Sequence, residues 1–88
     1  MEVIKFDSTC GGWHKHPDLN QRFLEVQRER IFERLYTKGY VYSNEIYEAF
    51  DVEWNPDNDN VCYRMSDEGL GILIQPARDG TYLIRIYG

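Results

Sequence analysis

Cys10, His14 and His16 lie within one seven-residue stretch, and with Cys62 they make up the chain's whole stock of cysteine and histidine. Zinc takes four N, S or O ligands in a tetrahedron, and these four side chains are its conceivable ligands. Their spacing argues against it. There is no Cys-x-x-Cys or His-x-x-x-His pair, and two histidines one residue apart point in opposite directions on extended backbone. The loop Cys10-Gly11-Gly12-Trp13-His14-Lys15-His16 also sets a thiol beside imidazoles, as a nucleophile and its base would be set. Thiolate chemistry needs a lowered pKa, an oriented base and a rigid oxyanion site. A Gly-rich loop supplies none of these, so the sequence predicts no metal, no cofactor and no enzyme.

Carboxylates form the second group. The run Asp51-x-Glu53-x-Asn55-x-Asp57-x-Asp59 alternates oxygen ligands as a calcium loop does. Pro56 stands where an EF-hand needs Gly, and Cys62 where it needs the bidentate Glu. The run therefore reads as a solvated acidic loop. Residues 1–44 carry seven Lys or Arg against six acids, whereas residues 45–88 carry three Arg against nine acids, so the net charge of -5 falls on the second half. Most of it lies in Glu48, Asp51, Glu53, Asp57, Asp59, Asp67 and Glu68. Such a surface repels phosphates, because non-specific nucleic-acid binding comes from Lys and Arg displacing counterions.

Aromatic residues are the third group. Seven Tyr, two Trp and four Phe are more than a core of 88 residues can hide. Tyrosine and tryptophan give large amphipathic contact area, and interfaces are enriched in them. Glu48, Asp51, Glu53, Asp57 and Asp59 are thus expected to form an acidic protein-binding face, with Trp54, Tyr63 and Tyr82 as its aromatic contacts.

The elements that must position these groups follow from the pattern of the chain. A length of 88 residues with 42% hydrophobic and 28% charged side chains predicts a single domain spanning residues 1–88. No apolar run approaches the ~20 residues needed to cross a bilayer, and the N-terminus lacks the apolar stretch of a signal peptide. A cytoplasmic protein without a membrane partner is expected, with its two cysteines reduced.

Glu2 to Phe6 reads as a strand and Asp7 to Pro17 as a loop. Asp18 and Gln21 form a capping-box-like pair, and Leu24, Ile31 and Leu35 share one face of a helix over 19–38 that Gly39 closes. Ser43 is a candidate N-cap for a second helix, with Tyr42 and Tyr47 as its staple, burying Ile46, Ala49 and Phe50 and ending near Asp51. The rest reads as a three-stranded meander: 61–65, a turn over 66–69, 70–75, and 81–87. Asp79-Gly80 suggests a two-residue type I′ hairpin pairing Gln75 with Ile84 and Leu73 with Ile86. Gly71 to Ile74 is apolar on both faces, as a central strand is, while Pro76 belongs at an edge or bulge. The expected fold class is α+β, with the helices packed on one face of the meander.

Two helices and a hairpin are also the parts of a winged helix-turn-helix. Its recognition helix would follow Phe50, where the chain instead supplies Asp51-Val52-Glu53-Trp54-Asn55-Pro56-Asp57, which is acidic and breaks helices. A winged-helix DNA-binding regulator using the Arg-rich first helix is the alternative reading.

The thirteen residues Lys38 to Phe50, with their Lys-Gly-Tyr-Val-Tyr turn and Asn-Glu-Ile-Tyr helix, resemble a stretch in small uncharacterised proteins of phages and mobile elements of Gram-positive bacteria. The resemblance carries no functional residues. It implies an accessory phage or mobile-element protein that acts by binding a host or phage protein. The expected function is therefore a non-enzymatic acidic protein-binding module, able to form a homodimer. A narrower form is an inhibitor offering its acidic face to the basic nucleic-acid groove of a host or defence protein.

Overall fold

The computed structural model describes residues 2–65 and 69–88. Their order is β1 (Glu2–Phe6), α1 (Pro17–Lys38), β2 (Tyr40–Tyr42), α2 (Ser43–Ala49), a 3-10 turn (Pro56–Asn58), β3 (Cys62–Arg64), β4 (Gly71–Pro76) and β5 (Tyr82–Tyr87). The fold is mixed α+β with antiparallel pairing throughout.

The expected single meander does not form. One sheet has the order β1-β5-β4, and a second joins β2 to β3. The segment read as the first meander strand pairs with Tyr40–Tyr42 instead, matching Val41 with Tyr63. Backbone bonds extend this ladder at both ends, from Met65 N to Gly39 O at 3.0 Å and from Ser43 N to Val61 O at 2.9 Å. The turn expected over 66–69 falls on residues of which 66–68 lie outside the described ones. β5, not β4, is the central strand, which corrects the reading of Gly71 to Ile74 as covered on both sides. β4 is an edge strand, where Pro76 is tolerated because an edge amide need not donate.

The β4–β5 register is one residue from that expected, pairing Gln75 with Leu83 and Ile74 with Ile84. Ala77 N donates to Thr81 O at 2.8 Å and Gly80 N to Ala77 O at 3.2 Å, so the loop is Arg78-Asp79-Gly80. Gly80 alone of these three has positive φ, at 85°. That is the three-residue hairpin with a left-handed last position, not a type I′ turn. Asp79 Oδ1 accepts from Thr81 N at 3.1 Å, which holds the longer loop.

α1 starts earlier than expected, with His16 as an N-cap that makes no side-chain bond and Pro17 in the first turn. Its end is as expected, since Gly39 has φ 84° and donates to Leu35 O. Leu24, Ile31 and Leu35 of α1 share one core with Ile46 of α2, Phe50 at its C-cap, Val41 of β2, and the inward residues Ile4, Phe6, Ile72, Ile84 and Ile86. Alternation along β1 and β5 produces that inward set, because successive strand side chains point to opposite faces. Trp13 and Phe23 pack on Phe6 with ring centroids 5.6 and 5.7 Å away. Buried Asn20 accepts from His14 N at 2.7 Å and donates to His14 O at 2.8 Å, fastening the first loop to α1. His14 and His16 themselves are exposed, and both cysteines are free thiols. Among the described residues no three His, Cys, Asp or Glu side chains are gathered as metal ligands would be.

Candidate functional site

The acidic segment is held against α2 by one buried amide. Asn44, 6% exposed, donates through Nδ2 to Asn55 O at 3.2 Å and to Asp59 Oδ1 at 3.0 Å. Its Oδ1 accepts from Asn55 N at 3.1 Å. Asn55 in turn caps the 3-10 turn, its Oδ1 accepting from Asp57 N at 3.1 Å. A buried amide needs all its bonds made, so this clamp fixes where the chain from Asn55 to Asp59 runs. It leaves Trp54 57% exposed beside the helix.

The result is a groove of about 350 Å³ lined by Tyr42, Glu45, Glu48, Trp54 and Asp59, with Asn44 and Asn60. Tyr42 is 46% exposed and meets Tyr40 edge-on at 5.6 Å. Glu45 accepts from Tyr42 N at 2.7 Å, capping α2, and lies 3.6 Å from Arg34 and 3.5 Å from Lys38. Its charge is therefore partly offset. Glu48 and Asp59 form no ion pair among the described residues. Two carboxylates without cations beside two exposed aromatic rings make a site for a cation. The negative π-face of Trp attracts ammonium or guanidinium, and carboxylates accept their N–H donors.

Of the expected acidic face, Glu48 and Asp59 come together here with Trp54. Glu53 and Asp57 are exposed but do not line the groove. Asp51 has a backbone role instead. Its φ is 57°, Asp51 N donates to Glu48 O at 3.0 Å and Val52 N to Tyr47 O at 2.9 Å, which is a Schellman closure of α2 with Asp in the glycine position. Its carboxylate sits against Gly11, where any added Cβ would stand 2.5 Å from Oδ2. Asp67 and Glu68 lie outside the described residues. Tyr82 is 6% exposed, with its hydroxyl donating to Pro17 O at 3.3 Å, so it offers no contact surface.

Tyr63 belongs to a second constellation, around Glu2. The Glu2 carboxylate accepts from Ser43 Oγ at 2.8 Å, Asn58 Nδ2 at 2.6 Å and Tyr47 Oη at 3.4 Å, and also from Tyr63 Oη. Burial, with the hydrogen bond to and charge of Glu2, raises the Tyr63 hydroxyl well above its usual pKa, and burial raises Tyr47 in the same way. A cavity of about 330 Å³ adjoins Glu2, Asn58, Cys62, Tyr63 and Arg64. Four donors already occupy the carboxylate, so the cluster ties β1 to α2, the 3-10 turn and β3 and leaves no poised acid or base. Ser43 is consequently not the N-cap of α2. Tyr42 holds that position, and the Ser43 hydroxyl turns inward to Glu2.

Sequence reasoning missed Glu2 and Asn44. Each is a polar residue in an ordinary strand or helix segment, and its partners lie 11 to 61 residues away along the chain. The recognition helix that a winged helix needs after Phe50 is not formed: among the described residues the only helix between Phe50 and β3 is the single turn Pro56–Asn58. No helix of the described residues is long and apolar enough to cross a membrane. Compared with family models, curated proteins and solved structures, the chain matches none.

Proposed function

We propose that this chain is a non-enzymatic protein-binding module whose groove receives a basic side chain of its partner. The observation that carries the reading is the groove itself, where exposed Trp54 and Tyr42 stand with Glu48 and Asp59, both unpaired among the described residues. Arginine fits best, because its flat guanidinium stacks on Trp and forks onto carboxylates. A basic surface of a host or phage protein is the partner this chemistry suits, in keeping with the accessory role that the resemblance of residues 38–50 implies.

A short arginine-containing peptide, with its glycine-substituted counterpart as control, tests the reading by Trp54 fluorescence, with the emission of Trp54→Phe, which comes from Trp13 alone, subtracted as background. The arginine peptide should change Trp54 emission, more weakly at high salt, and Glu48→Gln with Asp59→Asn should weaken it several-fold. Equal responses to both peptides would overturn it. The DNA-binding alternative has its own outcome: specific duplex binding at physiological salt, weakened by changing Arg28, Arg30 and Arg34, would replace the present reading.

A further inference from the structure

The β1-β5-β4 sheet has a second face, turned away from the core, with Arg85 at its centre. Register places Val3, Arg85 and Leu73 in one row across the three strands, and Lys5, Leu83 and Gln75 in the next. Val3 is 47% and Leu73 42% exposed, and Tyr87, 43% exposed, stands on the same face two residues beyond Arg85. Lys5 and Gln75 are exposed as well. Arg85 Nε donates to Gln75 Oε1 at 2.7 Å, which orients the guanidinium while Arg85 makes no ion pair among the described residues. Lys5 has Asp7 and Asp79 near it, which offset its charge, whereas Arg85 at the centre of the face has no carboxylate partner among the described residues. Apolar side chains flank a central, oriented arginine, which is the composition of an interface core more than of a solvated sheet face.

We propose that this face docks into the Trp54 groove of a second copy of the chain, Arg85 entering beside Trp54, Glu48 and Asp59. The proposal rests on the reading of the groove as a receptor for a basic side chain, and it names where that side chain comes from. Charge complementarity selects the occupant: among the described residues Glu48 and Asp59 of the groove have no cation partner, and Arg85 of the sheet face has no carboxylate partner. Packing two sheet faces on each other about a two-fold axis would bring like charges together, which costs affinity. The contact joins two different surfaces, so it either closes reciprocally as a two-fold dimer or runs head to tail and propagates.

Sedimentation equilibrium across the micromolar to millimolar range, at low and high salt, tests it. The weight-average mass should climb from that of one 10.5 kDa chain as concentration rises, and less so at high salt. Arg85→Glu alone and Glu48→Arg alone should each weaken association by about tenfold or more, since each sets like charges across the contact. An equimolar mixture of the two variants should restore it, because every contact then pairs an original or a reversed set of opposite charges. Lys5→Glu, at an exposed position, gives the same test should Arg85→Glu fail to fold. A chain that stays monomeric throughout, or association indifferent to both reversals, would overturn the proposal. A monomer whose Trp54 still responds to the arginine peptide would sink this inference alone and leave the groove reading standing.

Discussion

Ser43 Oγ donates to Glu2 Oε1 at 2.8 Å, so the first turn of α2 is bonded to the first residue of β1 across 41 positions of sequence. Glu2 is shared with Asn58, Tyr47 and Tyr63, and the Ser43 hydroxyl is fully buried. Removing the acceptor strands several donors, whereas removing one donor leaves the carboxylate served by the others. Glu2→Ala should therefore cost roughly 2 to 4 kcal/mol and Ser43→Ala about 1 kcal/mol. Urea unfolding checks this through the midpoint at unchanged slope. Equal costs would show that Ser43 acts as a helix cap and not through Glu2.

Ile31 is 1% exposed at the centre of the α1 stripe, and its side chain is part of the single core. Ile31→Ala should cost on the order of 2 to 5 kcal/mol, enough to unfold much of a domain this small. Circular dichroism with thermal melting reads the loss directly, and a change of a few tenths would mean the helix face is misassigned.

The parts of the fold legible in the sequence are those governed by near neighbours. Leu24, Ile31 and Leu35 announce α1 by spacing, and Gly39 ends it because a left-handed residue costs glycine nothing. Strand partnership is not local. Nothing in Val61 to Arg64 records that Tyr40–Tyr42 pairs with it, since a three-residue ladder leaves no periodicity to read. Even the Asp79-Gly80 hairpin was recognisable only as a hairpin: whether Arg78 joins the loop depends on Asp79 bonding Thr81, and that single residue shifts the register by one. The groove was half legible. Glu48, Trp54 and Asp59 stand out by type, but only the Asn44 clamp brings them together while sending Asp51 elsewhere.

Asp51 pays a conformational cost that glycine would not, because it holds a left-handed φ of 57° in the Schellman closure of α2. Asp51→Gly should stabilise the chain by up to about 1 kcal/mol, and Asp51→Val should destabilise it by more than that, since β-branching is poorly tolerated there. Both variants should leave the response of Trp54 to the arginine peptide unchanged, because Asp51 does not line the groove. Loss of that response in Asp51→Gly would return Asp51 to the binding face.

Tyr63 and Tyr47 give the fold an alkaline limit. Both hydroxyls donate to Glu2 and both have pKa values raised above the ordinary 10.0, chiefly by burial and then through Glu2. Ionising either one would remove a donor and set a phenolate against a carboxylate. A pKa higher in the folded than in the unfolded chain means that the folded state holds the proton more tightly. The stabilisation is thus fully present below pH 10.0 and is lost as pH rises from there toward the folded values. Stability measured in urea should be flat through neutrality and fall above that pH. Tyr63→Phe should be less stable than wild type at pH 7, having lost a bond to Glu2, yet should lose less on going to high pH. Phenolate absorbance, compared among wild type, Tyr47→Phe and Tyr63→Phe, identifies the two late hydroxyls. If Tyr63 ionised at the pH of the urea-unfolded chain, the Glu2 cluster would not be the tie between β1, α2 and β3 described above.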